Sequence, residues 1–168
     1  MRQKPTLTYS DAEAVLTACL QAARRRAVAV SVAVADDAGN LLHFSRMDGA
    51  RAHTVDLAVQ KARTAATVGV ATLAIEEMYR QRAAAAPPGF PGSGGVPVLL
   101  EGQCAGAVAI SGTAPDVDDA IAREGSRRSR PDPRPAGLRR LSESQRPGGR
   151  RRPPPSRSGT SRRSSAAA

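Results

Sequence analysis

Aromatic residues, histidine and cysteine are all scarce in this sequence of 168 residues. It has two Tyr, two Phe and no Trp, and none of these lies after residue 126. Stacking on nucleobases, which relies on aromatic rings, therefore has few candidates. The two histidines and the well-separated Cys19 and Cys104 contain no close-spaced ligand pair, which argues against a zinc site. Both cysteines lie in apolar patterns, so we expect core residues in a reducing compartment rather than a disulfide.

Long hydrophobic runs are also lacking. No segment approaches the roughly eighteen consecutive apolar residues of a membrane span, so we expect no membrane partner. The N-terminus lacks the apolar region of a secretory signal and runs into an amphipathic pattern. We therefore predict a cytoplasmic protein. The sequence also lacks a nucleophile motif of the G-x-S-x-G kind, and we predict no catalytic residue.

Positive charge is abundant but confined to one end of the chain. Residues 1–126 hold 12 Lys and Arg against 13 Asp and Glu, a net charge of −1, whereas residues 127–168 hold 13 Arg against two acids, a net charge of +11. We predict one domain over 1–126 and a disordered Arg-, Pro- and Ser-rich tail over 127–168. A natural basic extension and an out-of-frame product of GC-rich DNA both explain this composition. We expect such a tail to bind nucleic acid only nonspecifically.

Hydrophobic periodicity predicts four helices and two β-hairpins. The first helix is expected to start at a capping box formed by Ser10 and Glu13, and the second is expected to be capped by Thr54. The strand over 28–35 is apolar or small on both faces, so we expect a helix on one face and a partner subunit on the other. The remaining predicted elements are a strand over 41–47, a helix over 72–82, a hairpin over 96–110 and a helix from Asp116 that stops near residue 126.

Three segments, taken in order, resemble a known family. They are VAVADDAGNLLHFSRMDGA (32–50), DLAVQKARTAATVG (56–69) and GGVPVLLEGQCAGAVAISG (94–112). Together they resemble the HbpS/GlcG-like haem-binding family, which is also found as the C-terminal domain of some cobalamin adenosyltransferase-related proteins. The resemblance implies an α/β (α+β) fold with a small antiparallel sheet of two hairpins packed with helices. It also implies a homo-oligomer and haem, or a related tetrapyrrole, in an iron- or redox-linked role.

The candidate ligand-binding residues cluster around the RMDGA turn. A haem site needs an axial ligand, an apolar slot and cations for the propionates. We predict His53 as the metal ligand, although a surface histidine at a helix start is an equally good interpretation. Arg46 and Arg51 are the candidate propionate partners, and Met47 is a possible soft ligand. Lys61 is predicted to hold a ligand carboxylate or to form an ion pair with a nearby acid, and a solvated or intersubunit contact is an equally good interpretation.

The surroundings of these residues leave several alternatives open. Asp48 is the acid expected to pair with Lys61, and His43 is expected to pack on its strand rather than to ligate. The Gly- and Pro-rich loop over 83–95 is expected to border the pocket. The leading hypothesis is a ligand-binding module for haem and not an enzyme. The alternative is an accessory protein or enzyme for a small carboxylic acid such as glycolate, with Arg46, Arg51 and Lys61 as an anion clamp.

Overall fold

The fold consists of helices on both faces of one antiparallel sheet. The computed structural model describes residues 4–82, 86 and 89–128, with side chains up to residue 127. Its elements are α1 (Tyr9–Arg25), β1 (Ser31–Asp36), β2 (Leu41–Arg46), α2 (Thr54–Val68), α3 (Thr72–Gln81), β3 (Gly95–Leu100), β4 (Gln103–Ser111) and α4 (Pro115–Arg128). The predicted α+β class is confirmed. The disordered tail is predicted over 127–168, of which residues 129–168 lie outside the described residues.

The sheet joins two hairpins through their inner strands. Its strand order is β2-β1-β4-β3, and every neighbouring pair is antiparallel. At the centre, Val34 of β1 lies between His43 of β2 and Val108 of β4. Both predicted hairpins are therefore confirmed, and β2 and β3 form the two edges.

The two faces of the sheet have different side chains. The face covered by α1 and α4 is built mainly from Val and Ile, whereas the face covered by α2 is built from alanine. On the second face, alanines of the sheet pack against alanines of α2; the former are Ala33, Ala35, Ala107 and Ala109, and the latter are Ala58, Ala62, Ala65 and Ala66. The expectation that a partner subunit must cover one face of β1 is wrong, because α2 of the same chain covers it.

Both predicted helix caps are corrected by the structure. Helix α1 is capped by Thr8, whose hydroxyl accepts from the Asp11 N–H, while the Asp11 carboxylate accepts from the Thr8 N–H at 3.0 Å. The capping box therefore lies two residues before the predicted one. In α2 the N-cap position belongs to His53, without a side-chain cap. Thr54 instead donates to the Arg51 carbonyl at 2.6 Å and hydrogen-bonds Ser31 at 2.8 Å.

Helix α4 packs closely against α1 and runs two residues beyond the predicted domain boundary. At the crossing, a Cβ on Gly125 would overlap Cys19 Sγ, so only glycine fits there without movement. Burial, with a smaller contribution from Glu124, raises the pKa of the Cys19 thiol to about 12. Cys19 and Cys104 are both free cysteines, the first buried and the second half-buried. Among the described helices, none has the length and apolar character needed to cross a membrane.

Candidate functional site

A cleft of about 260 Å³ opens where β4 ends and α2 begins. Four parts of the chain form its walls: the start of α2, helix α3, the segment before β3, and the turn between β4 and α4. Its lining residues are Arg51, His53, Thr54, Leu57, Lys61, Glu76, Pro91, Gly92, Ser93, Ser111, Gly112, Thr113, Pro115 and Asp118. The sequence predicts a pocket near the RMDGA turn, the start of the second helix and the Gly- and Pro-rich loop; the cleft includes residues of the last two but none of the turn itself (46–50).

The floor of the cleft is a buried ion pair. The Lys61 ammonium donates to Asp118 Oδ2 at 3.3 Å and to the Ile110 carbonyl at 3.1 Å. The exposed fractions of the two charged side chains are 7 % for Lys61 and 3 % for Asp118. The second oxygen of Asp118 accepts from the Thr113 hydroxyl at 2.7 Å and the Thr113 N–H at 3.1 Å. The predicted pairing of Lys61 with Asp48 is therefore wrong, because Asp118 is the partner.

Two glycines allow the sheet edge to approach Lys61. Gly94 has φ +113, and a Cβ there would lie 2.7 Å from the Ile110 carbonyl oxygen and 3.3 Å from Lys61 Nζ. A Cβ on Gly95 would press on the Lys61 carbonyl. Larger residues at these positions would separate β3 from α2, so the two glycines are needed to enclose the ammonium.

The lip of the cleft carries Arg51 and His53. Both side chains are exposed. Helical spacing aligns His53, Leu57 and Lys61 along one side of α2, so the imidazole lies at the lip and the ammonium at the floor. Because the His53 side chain makes no capping hydrogen bond, its ring nitrogens are not committed to the helix.

Helix α3 contributes a carboxylate to another wall. Glu76 Oε2 accepts from the Ser93 hydroxyl at 2.7 Å and from the Ser93 N–H at 3.1 Å. An edge-to-face contact between Tyr79 and Phe90, with ring centroids 6.2 Å apart, links the same helix to the loop. The segment before β3 is thus tied to α3, and both line the cleft.

The structure brings together three of the five predicted site residues: Arg51, His53 and Lys61. Arg46 is exposed at the end of β2, and Met47 packs against the core beneath α1 and α4, so neither lines the cleft. His43 packs as expected: its ring lies 4.5 Å from that of Tyr9, between centroids.

Sequence reasoning missed the acids and hydroxyls of the cleft, namely Glu76, Ser93, Thr113 and Asp118. One signal was present. Lys61 lies in an alanine stripe of α2, and a lysine in a buried stripe requires a carboxylate partner. The sequence alone does not say which carboxylate this is, because Asp118 is brought to Lys61 only by the topology of the fold. Over the part of the chain described by the structure, no group of three His, Cys, Asp or Glu side chains is placed to hold a metal ion.

Comparison with known proteins agrees with this fold over the whole domain. The model of a family described as haem degrading protein HbpS-like matches residues 7–127. The chain belongs to the HbpS-like family. Protein GlcG of Escherichia coli K12 is 40% identical over 114 residues, which cover 66% of this HbpS-like chain and 85% of GlcG.

Solved structures are similar to this HbpS-like chain as well. A double mutant of HbpS from Streptomyces reticuli has a TM-score of 0.68 at 30% identity, covering 76% of this chain and 89% of that one. The haem complex of PduOC has a TM-score of 0.66 at 25% identity and covers 75% of this chain and 99% of PduOC.

Proposed function

We propose that this HbpS-like chain is a haem-binding module in which His53 is the axial ligand and Arg51 holds a propionate. The observation that carries the proposal is the position of these two exposed side chains on the lip of one cleft, with the imidazole free of any capping role. The similarity to PduOC, which was solved as a haem complex, supports the same ligand class.

The cleft fits one edge of a haem and not the whole macrocycle. Its volume of about 260 Å³ lies below the roughly 300–1,000 Å³ of sites that enclose a complete ligand. Leu57, Pro91 and Pro115 offer apolar contact, while Arg51 offers donors to a carboxylate. A bound haem would supply redox-active iron, and this chain's part is to ligate and anchor it. We therefore propose that the chain binds haem and does not itself act as an enzyme.

A haemin titration followed in the Soret region tests the proposal. The unmodified chain should give a sharp band that saturates stoichiometrically, and His53→Ala should shift the band and weaken binding. His43→Gln is the matched control, because the chain has only two histidines and His43 does not line the cleft. Full affinity and an unchanged spectrum in His53→Ala would remove the ligand assignment.

A small carboxylic acid such as glycolate is the second candidate ligand, with the chain acting as an accessory protein or enzyme. The small volume and polar floor of the cleft favour it. Because Asp118 already neutralises Lys61, and the Ser93 and Thr113 hydroxyls already donate to Glu76 and Asp118, the carboxylate would bind Arg51. A rise in Tm with glycolate that Arg51→Gln abolishes would support this candidate. Haemin that binds without displacing glycolate would place the two ligands at different sites.

Assembly, location and the C-terminal segment complete the proposal. We infer a homo-oligomer from the exposed Leu41 and Leu99 on the edge strands, and from the exposed Val68 and Val70 at the C-terminal end of α2 and just beyond it. The unpaired cysteines suit a reducing cytoplasm. We propose that residues 127–168 take no part in the ligand site and bind nucleic acid only nonspecifically, through their positive charge. Light scattering measures the number of subunits. The intact mass of the protein isolated from its natural source tests whether residues 127–168 are a genuine extension or an out-of-frame product.

A further inference from the structure

Four charged side chains line the cleft, and two of them neutralise each other. Lys61 and Asp118 form the ion pair of the floor. The remaining two are Arg51, just before α2, and Glu76, on α3. The charge that a ligand meets is therefore divided between two walls, positive beside α2 and negative on α3.

The Glu76 carboxylate is fixed in place by its partner. Two Ser93 donors, the N–H and the hydroxyl, both bind Oε2, and Ser93 is only 4 % exposed. Both hydrogen bonds hold Oε2 against Ser93 and so fix the position of the carboxylate. The neighbouring Glu77 instead accepts from Gln81 at 3.0 Å and forms an ion pair with Arg80 along the same helix, and it does not line the cleft.

We propose that Glu76 is a selectivity residue that restricts the cleft to one anionic group. A single carboxylate binds at Arg51, and a second one inside the cleft meets the fixed charge of Glu76 and is repelled. This inference rests on the proposed haem function. Haem carries two propionates, so one is anchored in the cleft and the other is kept in solvent.

The size of the effect follows from Coulomb's law. Two like charges about 6 Å apart in a water-like dielectric repel enough to change an affinity about threefold, and more where the cleft excludes water. Because Glu76 is exposed, added salt should screen the repulsion, with a Debye length of about 10 Å at 0.1 M ionic strength.

The test compares haemin with haemin dimethyl ester, which lacks both propionate charges. Glu76→Gln keeps a carbonyl that can accept from Ser93 and removes only the charge. It should tighten haemin binding about threefold or more at low salt, leave ester binding unchanged, and lose its effect at high salt. Arg51→Gln should weaken haemin binding and spare the ester. Glu77→Gln is the matched control and should change neither affinity.

Two kinds of failure can be told apart. If the unmodified chain binds neither probe, the proposed haem function is wrong and the selectivity of Glu76 falls with it. If haemin binds and Glu76→Gln alters both affinities equally or neither, only the selectivity is refuted. Circular dichroism and urea unfolding of Glu76→Gln verify that its fold is intact, so an equal change in both affinities would indicate an effect of packing.

Discussion

Replacing Lys61 by methionine should strongly destabilise the domain. Methionine keeps an unbranched stem in the alanine stripe of α2 but removes the ammonium. Asp118 then keeps a carboxylate that is 3 % exposed, and among the described residues Thr113 is its remaining hydrogen-bond partner. A buried charge that has lost its partner costs about 3–5 kcal/mol. This is a large fraction of the roughly 5–15 kcal/mol that stabilises a typical domain.

A double-mutant cycle separates the ion pair from general disruption. In Lys61→Met/Asp118→Asn the floor of the cleft keeps no charge, and the asparagine carbonyl can still accept from Thr113. The double variant should therefore lose less stability than the two single variants together, with a coupling energy within the usual range of about 0.5–3 kcal/mol. Urea unfolding at pH 7, followed by circular dichroism, measures all four free energies of unfolding.

A loss below about 1 kcal/mol in Lys61→Met would refute this reasoning, because that is the value of solvent-screened ion pairs. The floor would then be wet, and the Lys61 ammonium would be available to a ligand. The same measurement therefore decides whether Lys61 belongs to the scaffold or to the anion clamp predicted from the sequence. The present geometry places it in the scaffold.

Two further predictions concern the packing of α1 against α4. Gly125→Ala should lower the free energy of unfolding by about 1–3 kcal/mol because the added Cβ overpacks against Cys19, and improved helix propensity should offset about 1 kcal/mol of that loss. Adding Cys19→Ala to the same chain should restore much of the stability. If urea unfolding instead shows that the losses of the two substitutions add, overpacking against Cys19 is not the cause. Hydrogen bonding to Arg26 and then the charge of Arg25 hold the pKa of Glu124 below its usual 4.5. Since the pKa of Glu124 is lower in the folded state, its stabilisation of the fold is present above about pH 4.5 and is lost as the pH falls through the lowered pKa. Glu124→Gln should therefore make the urea midpoint decline less steeply over that pH range. An unchanged decline would assign the acid sensitivity to other groups.

Local patterns were sufficient to predict the elements but not every helix start. Thr8 with Asp11 and Ser10 with Glu13 both have capping-box spacing. The choice is tertiary: the Leu7 N–H donates to the Ala105 carbonyl of β4 at 2.8 Å, which holds the chain extended up to Thr8. Helix α1 can therefore begin immediately afterwards, and no pattern within the helix carries that information.

For the candidate site, too, some positions follow from local sequence patterns and others depend on contacts between residues distant in sequence. Helical spacing places His53 and Lys61 on one side of α2, so their common cleft follows from the sequence. Asp118 is 57 residues from Lys61 and reaches it only because β4 leads directly into α4. Proximity in sequence was misleading for Met47, because strand alternation carries it to the other face of the sheet, beneath α1 and α4.

The two faces of the sheet contribute to the domain in different ways. The Val and Ile side chains beneath α1 and α4 bury the larger apolar groups and hence supply most of the hydrophobic stabilisation. The alanine-rich face beneath α2 supplies less hydrophobic stabilisation. Because the side chains of both α2 and the sheet are small there, α2 approaches the sheet closely. That approach continues to Gly95, where even one Cβ would press on the Lys61 carbonyl. It also places the Lys61 ammonium within 3.1 Å of the Ile110 carbonyl at the end of β4. The alanine-rich composition of α2 therefore sets the geometry of the cleft floor.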